Sequence, residues 1–152
     1  MIHSIVEVKD DKAFNDMAVL IAEHEYDEID CGIDKYLTFL KNFLPLMEGE
    51  FFRAWVLYID DKPVGYISGI YSPDIRHEIS IHDHYINTDY RSVKCDKELI
   101  RQIVGWAEEK KVKRISWTSS HPAKMWHWIM KNMTKKKVQF KQLYFVSCEV
   151  LD

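Results

Sequence analysis

Residues 77–109, HEISIHDHYINTDYRSVKCDKELIRQIVGWAEE, change their hydrophobic period part way along. The first part alternates apolar and polar residues, as at Ile79 and Ile81, which predicts a strand with one buried face. The second part places apolar residues three and four positions apart, which predicts a helix that begins near Asp96. The apolar positions of that helix are Leu99, Ile100, Ile103, Val104 and Ala107.

A strand that leads through a short loop into a helix is a favourable setting for anion binding. The first amides of a helix have no partner within it, so those near Asp96 point back across the loop and attract groups such as phosphate. The Asp96 carboxylate is itself suited to cap the helix by accepting from its N2 or N3 amide, which contributes about 1 kcal/mol. A simple helix cap and an anion site are therefore alternative interpretations of the same residues.

The loop resembles a motif of the GNAT superfamily of acetyl-coenzyme A-dependent N-acetyltransferases. Residues 86–91, INTDYR, are similar to the end of the fourth strand in that family, where an aliphatic residue, a turn and an aromatic-Arg pair precede the pyrophosphate loop. The family loop continues Arg-x-x-Gly-x-Gly/Ala, and here Lys94 and Asp96 stand at the two small positions. Lys94 adds a cation there, whereas Asp96 adds a charge of the same sign as a phosphate.

The resemblance implies that acetyl-coenzyme A binds as a co-substrate along this strand and loop. In the family the fourth and fifth strands part, the pantetheine arm lies between them, and the strand backbone polarises the thioester carbonyl. By that similarity the cofactor-binding residues are Tyr85, Ile86, Arg91, Ser92, Val93, Lys94, Cys95 and Asp96.

A second, separate stretch supports the same resemblance. Residues 51–59, FFRAWVLYI, are rich in aromatic and β-branched residues, and residues 60–63, DDKP, are typical of a turn before another run at 64–70. The pattern predicts a hairpin. It is similar to the second and third strands of GNAT proteins, in which a glycine such as Gly65 commonly follows the turn.

The remaining periodic segments complete a single domain. They are strands at residues 2–8 and 113–119, one long strand or two at residues 138–150, and helices at residues 14–21, 36–44 and 123–132. The resulting order, β-α-α-β-β-β-α-β-α-β, fits an α/β (α+β) fold. By the resemblance, this is a GNAT-like mixed, mostly antiparallel central sheet of about six or seven strands, flanked by about four helices.

Length and composition restrict the class of protein. The 152 residues suffice for one domain with a sizeable core, so residues 1–152 are expected to form one GNAT-like acyltransferase domain. A net charge of -3 and a pI near 6.2 give no general bias toward nucleic acid. No apolar run approaches the ~20 residues that span a bilayer, and no signal peptide is evident. Three cysteines without metal-type spacing favour a reducing compartment, so we expect a cytoplasmic protein.

Transfer of an acetyl group to an amine requires a base, or a chain of waters, to take a proton from the nitrogen. His82 is the first candidate because an imidazole titrates near neutral pH. Some amine-acetylating members of the family also carry a base at this place on the strand. Glu78 and His84 have the same parity along the strand and are the second candidates. The alternative is a structural or surface role for His82.

An acid that protonates the leaving thiolate is harder to identify. Family members usually have a tyrosine in the helix after the fifth strand. Alignment of His121 and Pro122 with the usual start of that helix puts Trp128 at this position. An indole N–H is far less acidic than a phenol. His127 is next to Trp128, but adjacent helical residues face different directions.

Metal or thiol chemistry is less well supported by the residues. His82 and His84 share a strand face in the predicted strand, but Asp83 points to the other face and no third ligand is evident, so no metal site is predicted. Cys95 and Cys148 lack the His-Asp surroundings of a nucleophile, and incidental thiols are much more common.

Acidic residues cluster at 23–30, EHEYDEID, which the resemblance places beside the acceptor site. Because clustered carboxylates concentrate cations, the predicted acceptor is a primary amine: a small polyamine or aminoglycoside-like molecule, or the lysine or N-terminus of a protein. A solvated acidic turn is the commoner meaning of such a run. Basic residues at 110–114 and 131–141 are candidates for contact with the 3′-phosphate-ADP end of coenzyme A or with an acidic partner. A homodimer or a protein partner is also compatible with the sequence.

Two functions of different classes follow from these residues. The first is an acetyl-coenzyme A-dependent N-acetyltransferase that acts by direct transfer in a ternary complex. The second is a catalytically inactive GNAT-like binding or structural module. Arg91 and the order of elements favour the enzyme, whereas Lys94, Asp96 and Trp128 favour the module.

Overall fold

A computed structural model describes residues 3–28, 50–74, 77–93, 95–112, 114–118 and 139–143. The strands are β1 (His3–Glu7), β2 (Phe52–Ile59), β3 (Lys62–Ser72), β4 (Glu78–Ile86), β5 (Arg114–Thr118) and β6 (Gln139–Leu143). The helices are α1 (Asp11–Glu28), a short 3-10 helix (Thr88–Val93) and α2 (Asp96–Glu109). The helices predicted at 36–44 and 123–132 lie outside the described residues.

The described strands form one mixed sheet in the order β1-β2-β3-β4-β5-β6. The pairs β1/β2, β2/β3 and β3/β4 are antiparallel, whereas β4/β5 and β5/β6 are parallel. The predicted mixed, mostly antiparallel sheet is therefore confirmed. Neither α1 nor α2 is long and apolar enough to cross a membrane.

One face of the sheet is covered by α2. Every apolar position of the predicted stripe is buried, and Trp106 joins the stripe with only 1% of its surface exposed. These side chains pack against buried residues of four strands, among them Leu57, Ile67, Ile79 and Ile115. The predicted helix from Asp96 is confirmed, and its burial fixes α2 against strands β2 to β5.

The opposite face of the sheet is covered by α1. The Asp10 carboxylate accepts from the Ala13 amide at 2.8 Å and so caps the start of this helix. Its buried side chains, which include Met17, pack against aromatic rings of the sheet such as Tyr66 and Tyr85. The helix continues to Glu28, so residues 23–28 are helical rather than part of an acidic turn. Side-chain contacts of its last turns with β3 and β4, described below, account for the extra length.

The hairpin between β2 and β3 has a shorter turn than the sequence suggests. Asp60 and Asp61 both have positive φ, at 49° and 64°, which is typical of a two-residue hairpin turn. As a result β3 begins at Lys62 and includes Pro63. The register of the ladder shifts between Leu57 and Tyr58, opposite Pro63, and such an irregularity accommodates a residue without an N–H.

Gly65 lies where β3 and β4 approach each other closely. A Cβ at this position would lie 2.9 Å from the Tyr85 carbonyl oxygen and 3.1 Å from an Ile86 side-chain carbon. A backbone carbonyl cannot swing aside as the end of a side chain can. The glycine after the turn is therefore required for the close packing of the two strands.

We predict that Gly65→Ala lowers the free energy of unfolding by about 1–3 kcal/mol, because the added methyl group pushes β3 away from β4. Gly105→Ala is the matched control. No atom lies within 4 Å of a Cβ at Gly105, and alanine is the better helix former, so this change should stabilise the protein by up to about 1 kcal/mol. Urea denaturation of both variants measures the two effects. Equal stabilities would contradict the close approach at Gly65.

Candidate functional site

β4 pairs with β5 over only part of its length. Residues 79–81 of β4 lie opposite residues 115–117 of β5, and the last pair is Ile81 with Trp117. β4 continues to Ile86, and no described residue of β5 pairs with residues 82–86. We call residues 82–86 the β4 edge. A strand edge presents backbone N–H and C=O groups that can form hydrogen bonds with a ligand laid along it.

A bulge marks the start of the β4 edge. Ser68 of β3 pairs with Asp83 and Gly69 pairs with Ile81, so His82 is the extra residue in the ladder. As a consequence the odd-numbered and even-numbered residues of β4 exchange faces at the bulge. Ile79 and Ile86, seven residues apart, both pack in the core on the α2 face.

Because of the bulge, the three candidate bases do not all lie on one face of β4, as the sequence had predicted. The His82 ring lies edge-on to Phe52, 6.1 Å between centroids, and Phe52 belongs to the α1-face core. Glu78 is turned away from Ile79 and therefore shares the α1 face with His82. His84 lies between Asp83 and Tyr85, whose side chains pack on the α1 face, so it faces α2. The common parity expected for His82 and His84 was wrong, because His82 is the extra residue of the bulge and the alternation of faces changes there.

The predicted cofactor loop follows the β4 edge directly. The Asn87 amide donates to the Val64 carbonyl at 2.8 Å, and its side-chain oxygen accepts from the Asp89 amide at 3.0 Å. The Arg91 Nε donates to the Ile86 carbonyl at 2.9 Å, and the guanidinium lies 5.8 Å from the centre of the Tyr85 ring. These contacts hold the Arg91 cation at the end of the β4 edge.

The start of α2 differs in detail from a simple Asp96 cap. Cys95 is the N-cap residue and makes no side-chain capping bond, while Asp96 is the first helical residue. The Asp96 carboxylate accepts from the Lys97 amide at 3.1 Å, and the Glu98 amide donates to the Cys95 carbonyl at 3.0 Å. Two of the amides available to an anion therefore have internal partners in this structure.

The other predicted loop residues are described unevenly. Lys94 lies outside the described residues, and Ser92 and Val93 contribute backbone to the 3-10 helix. Cys95 is buried, and burial, together with the nearby Asp96 and Glu98 charges, raises the pKa of its thiol. A thiol held in its protonated form is a poor nucleophile, which argues against a catalytic role for Cys95.

Glu78 lies at the wall of a cavity at the beginning of β4. Its side chain is only 1% exposed, and the Ser116 hydroxyl of β5 donates to the Glu78 carboxylate at 3.4 Å. The Ser80 and Ser116 hydroxyls are 2.9 Å apart, so three polar groups form a chain across β4 and β5. The chain begins at Ser80, one residue before the Ile81 pair where the β4 edge opens.

The cavity has a volume of about 560 Å³. The described residues that line it are Phe51, Tyr71, Ser72, Pro73, Asp74, Glu78 and Ser80. Two of these are carboxylates and none is basic, and Phe51 is 54% exposed at the rim. Such a lining favours a cationic group with an apolar body.

A second polar cluster lies on the α1 face of the β4 edge and joins α1, β3 and β4. The Tyr66 hydroxyl donates a short hydrogen bond to Asp83, whose other carboxylate oxygen accepts from the His84 amide at 2.9 Å. The His24 Nδ1 lies 3.4 Å from the Tyr66 hydroxyl and 3.6 Å from the Asp83 carboxylate. The His24 ring stacks on Tyr85, 4.8 Å between centroids and 14° between planes. We call His24, Tyr66 and Asp83 the His24 cluster.

The His24 cluster could not be predicted from the sequence. Its three members come from three elements, so no spacing along the chain connects them. Asp83 is brought to the α1 face by the bulge, which has no sequence signature here. The one available signal was a histidine inside the acidic stretch at 23–30. The adjacent Glu23 accepts from the Asn87 side-chain amide at 3.2 Å, which also ties the end of α1 to the cofactor loop.

His84 is the one candidate base on the α2 face. Its Nε2 is buried and has no hydrogen-bond partner among the described residues. Burial lowers the pKa of this imidazole, and the Asp96 and Asp83 charges oppose that shift only in part. His84 is therefore neutral at physiological pH, and protonation would place an uncompensated charge in the core.

We predict that His84 makes the protein less stable in acid. The unfolded histidine has a pKa of about 6.5, so below that pH the unfolded state binds more protons and the free energy of unfolding falls. Denaturation at pH 7 and pH 5 should show a smaller fall for His84→Gln than for the wild type. The exposed His3, changed to Gln, is the control. An identical pH dependence in the wild type and His84→Gln would contradict the burial effect.

Comparison with known proteins places this site in a family. A family model described as the acetyltransferase (GNAT) family matches residues 17–127. No curated protein is similar enough in sequence to match the chain. No group of three metal-binding side chains lies together in the part of the chain that the structure describes.

Solved structures share the fold at low sequence identity. The aminoglycoside acetyltransferase AAC(6')-Iy, in complex with a bisubstrate analogue of coenzyme A, has a TM-score of 0.70 and 12% identity over 97% of this chain and 100% of its own. An aminoglycoside acetyltransferase from an uncultured soil sample, in complex with sisomicin, has a TM-score of 0.69 and 15% identity over 97% of each chain. A ribosomal-protein-alanine N-acetyltransferase from Brucella melitensis has a TM-score of 0.65 and 17% identity over 100% of this chain and 99% of its own.

The matched segment contains the β4 edge, the Arg91 loop, the Glu78 cavity and the His24 cluster. It also spans most of the chain, and the six-stranded sheet agrees with the fold of the similar structures. The chain therefore belongs to the GNAT family of acetyltransferases.

Proposed function

We propose that the protein is an acetyl-coenzyme A-dependent N-acetyltransferase that transfers the acetyl group directly to a primary amine. The observation that carries the proposal is the β4 edge, which begins beyond the Ile81–Trp117 pair. It connects a cationic loop at one end with a carboxylate-lined cavity at the other. An acyl donor and an amine can meet where these two regions adjoin.

The residues of the loop and the β4 edge fit the proposed co-substrate. Arg91 provides a cation for the pyrophosphate, and the backbone of Tyr85 and Ile86 provides hydrogen bonds for the pantetheine arm. Ser92, Val93, Cys95 and Asp96 would complete the loop through their backbone. Asp96 opposes this fit, because its carboxylate already accepts from the Lys97 amide. Rotation of that side chain toward solvent would free the amide for a phosphate oxygen.

The end of strand pairing limits how far an acyl donor can extend along β4. A ligand that enters from Arg91 and lies along the β4 edge meets the paired residues at Ile81. The thioester would then lie level with His82 and Asp83. The Glu78 cavity begins just beyond this point, so we place the acceptor amine there.

The acceptor class follows from the cavity. Glu78 and Asp74 provide negative charge, and Phe51 provides an exposed apolar surface. Two of the similar structures described above are aminoglycoside acetyltransferases and one acetylates a ribosomal protein, so both small amines and a protein N-terminus are reasonable candidates. We propose a small amine whose cationic group lies against Glu78 and Asp74 and whose apolar body lies against Phe51. We also propose that the reaction takes place in the cytoplasm. The chain has three cysteines without metal-type spacing, which suits a reducing compartment.

The proton lost by the amine has a path to a buried carboxylate. The Ser80 hydroxyl, the Ser116 hydroxyl and Glu78 form a chain from the end of the β4 edge into the protein. We therefore propose Glu78 as the base, with His82 as the alternative direct acceptor. This reverses the order of preference drawn from the sequence. His84 lies on the other face, so its proposed role is limited to packing beside α2.

The proposed reaction balances as follows. The amine nitrogen forms a bond to the acetyl carbonyl carbon and passes one proton toward Glu78. The carbon-sulfur bond breaks, its electron pair goes to sulfur, and the sulfur takes up one proton. The products are an N-acetylated amine and coenzyme A, and an amine that arrives protonated releases one further proton to solvent.

The rival function is a catalytically inactive GNAT-like module. The Asp96 bond to the Lys97 amide favours it, because that bond occupies a phosphate donor. The two functions differ in coenzyme binding, which is measurable without knowledge of the acceptor.

We predict that acetyl-coenzyme A raises the melting temperature by several degrees at concentrations far above its Kd, since a ligand of the folded state stabilises it. Arg91→Ala should reduce this shift because the pyrophosphate loses its cation. Lys9→Ala, which removes an exposed lysine paired with Glu7 of the edge strand β1, should leave the shift unchanged. No shift for the wild type at millimolar acetyl-coenzyme A would leave the inactive module as the function.

We predict that Glu78→Gln lowers turnover by about 10²–10⁴-fold at neutral pH, as expected for the loss of a general base. Ser116→Ala should lower turnover less, and His82→Ala least. Release of the coenzyme A thiol, with a polyamine, an aminoglycoside and an alanyl peptide as trial acceptors, measures these rates. If His82→Ala has the largest effect, the base is His82 and the hydroxyl chain is structural.

A further inference from the structure

The His24 cluster lies beside the β4 edge but has no part in the proton path to Glu78. Three residues contact the His24 ring. The ring stacks on Tyr85, 4.8 Å between centroids, and its Nδ1 faces both Tyr66 and Asp83. Asp83 is itself fixed by the Tyr66 hydroxyl and the His84 amide. A histidine oriented by a carboxylate at Nδ1 presents its Nε2 for proton transfer.

The position of the cluster along β4 indicates whether it can act on the attacking amine or on the leaving sulfur. Asp83 is the second residue of the β4 edge, two positions beyond the Ile81–Trp117 pair, whereas Glu78 lies three positions before that pair. A thioester that cannot pass the Ile81 pair has its sulfur on the Asp83 side and the attacking amine on the Glu78 side. The two clusters are thus separated along the strand as a leaving group and a nucleophile are separated in the reaction.

We propose that His24, oriented by Asp83, is the acid that protonates the departing coenzyme A sulfur. This proposal rests on the proposed acetyltransferase function. As the carbon-sulfur bond breaks and its electron pair goes to sulfur, the imidazolium gives one proton to sulfur and becomes neutral imidazole. Solvent returns a proton to the imidazole before the next cycle. Tyr66 is a positioning residue, because it acts on His24 through Asp83.

The chemistry of the groups supports this direction of transfer. A thiol has a pKa of about 8.5 and an imidazolium a pKa of about 6.5 in model compounds, so the proton moves downhill to a thiolate. The titratable groups around His24 are Glu23 on α1, Tyr66 on β3, and Asp83 and Tyr85 on β4, with His84 on the opposite face of that strand. The acid would therefore come from α1, rather than from residue 128, which is a tryptophan.

The test measures the thiol of bound coenzyme A, so it needs no acceptor. The pKa of the bound thiol is read from the ultraviolet absorbance of the thiolate as pH is varied. In the wild type we expect a lower value than that of free coenzyme A, because the neutral imidazole can accept the thiol proton and the resulting imidazolium favours the thiolate. In His24→Gln the value should return to that of free coenzyme A. The Kd of desulfo-coenzyme A, which lacks the sulfur, should be the same for both proteins.

Two further variants complete the test. Asp83→Asn should reproduce the effect of His24→Gln, and it serves as the second measurement if His24→Gln does not fold. Tyr58→Phe is the matched control: the Tyr58 hydroxyl donates to the Asp16 carboxylate of α1 at 2.6 Å, away from the β4 edge, and its loss should leave the thiol pKa unchanged. Equal thiol pKa values in the wild type, His24→Gln and Asp83→Asn would overturn the proposal while coenzyme binding stands. Failure of the wild type to bind coenzyme A would overturn the acetyltransferase function itself, and this proposal with it.

Discussion

The end of pairing between β4 and β5 at Ile81 and Trp117 is the constraint on which the site depends. Beyond that pair no described residue of β5 pairs with β4, whereas the backbone before it is committed to the sheet. The bulge at His82 falls at the same point and turns Asp83 and Tyr85 toward α1. This local irregularity thus selects which side chains border the β4 edge.

The two helices then hold the site from opposite faces. The buried stripe of α2 fixes the start of that helix next to the loop that carries Arg91. On the other face, His24 and Glu23 at the end of α1 contact β4 and Asn87 respectively. The end of α1 therefore contacts both the β4 edge and the loop that carries Arg91. A displacement of the last turns of α1 would disturb both.

Much of this fold could be predicted from the sequence, and the reasons for the exceptions are physical. The stripe of α2 and the alternation in β4 are local periodicities, so they identified their elements and the family. The bulge at His82 is not local, because it depends on how Ser68 and Gly69 of another strand pair with β4. Because of the bulge, His84 lies on the face opposite to the one expected, and Asp83 lies on the α1 face, where the sequence did not predict it. The contacts of His24 arise from tertiary packing, which no spacing along the chain encodes.

Hydrogen exchange of the β4 amides tests the central claim most directly. The account predicts that acetyl-coenzyme A slows exchange of amides within residues 82–86, because the ligand lies along the β4 edge. Amides of residues 79–81, already paired with β5, should exchange slowly with or without the ligand. Slow exchange throughout residues 79–86 in the free protein, with no further change on addition of acetyl-coenzyme A, would contradict the account.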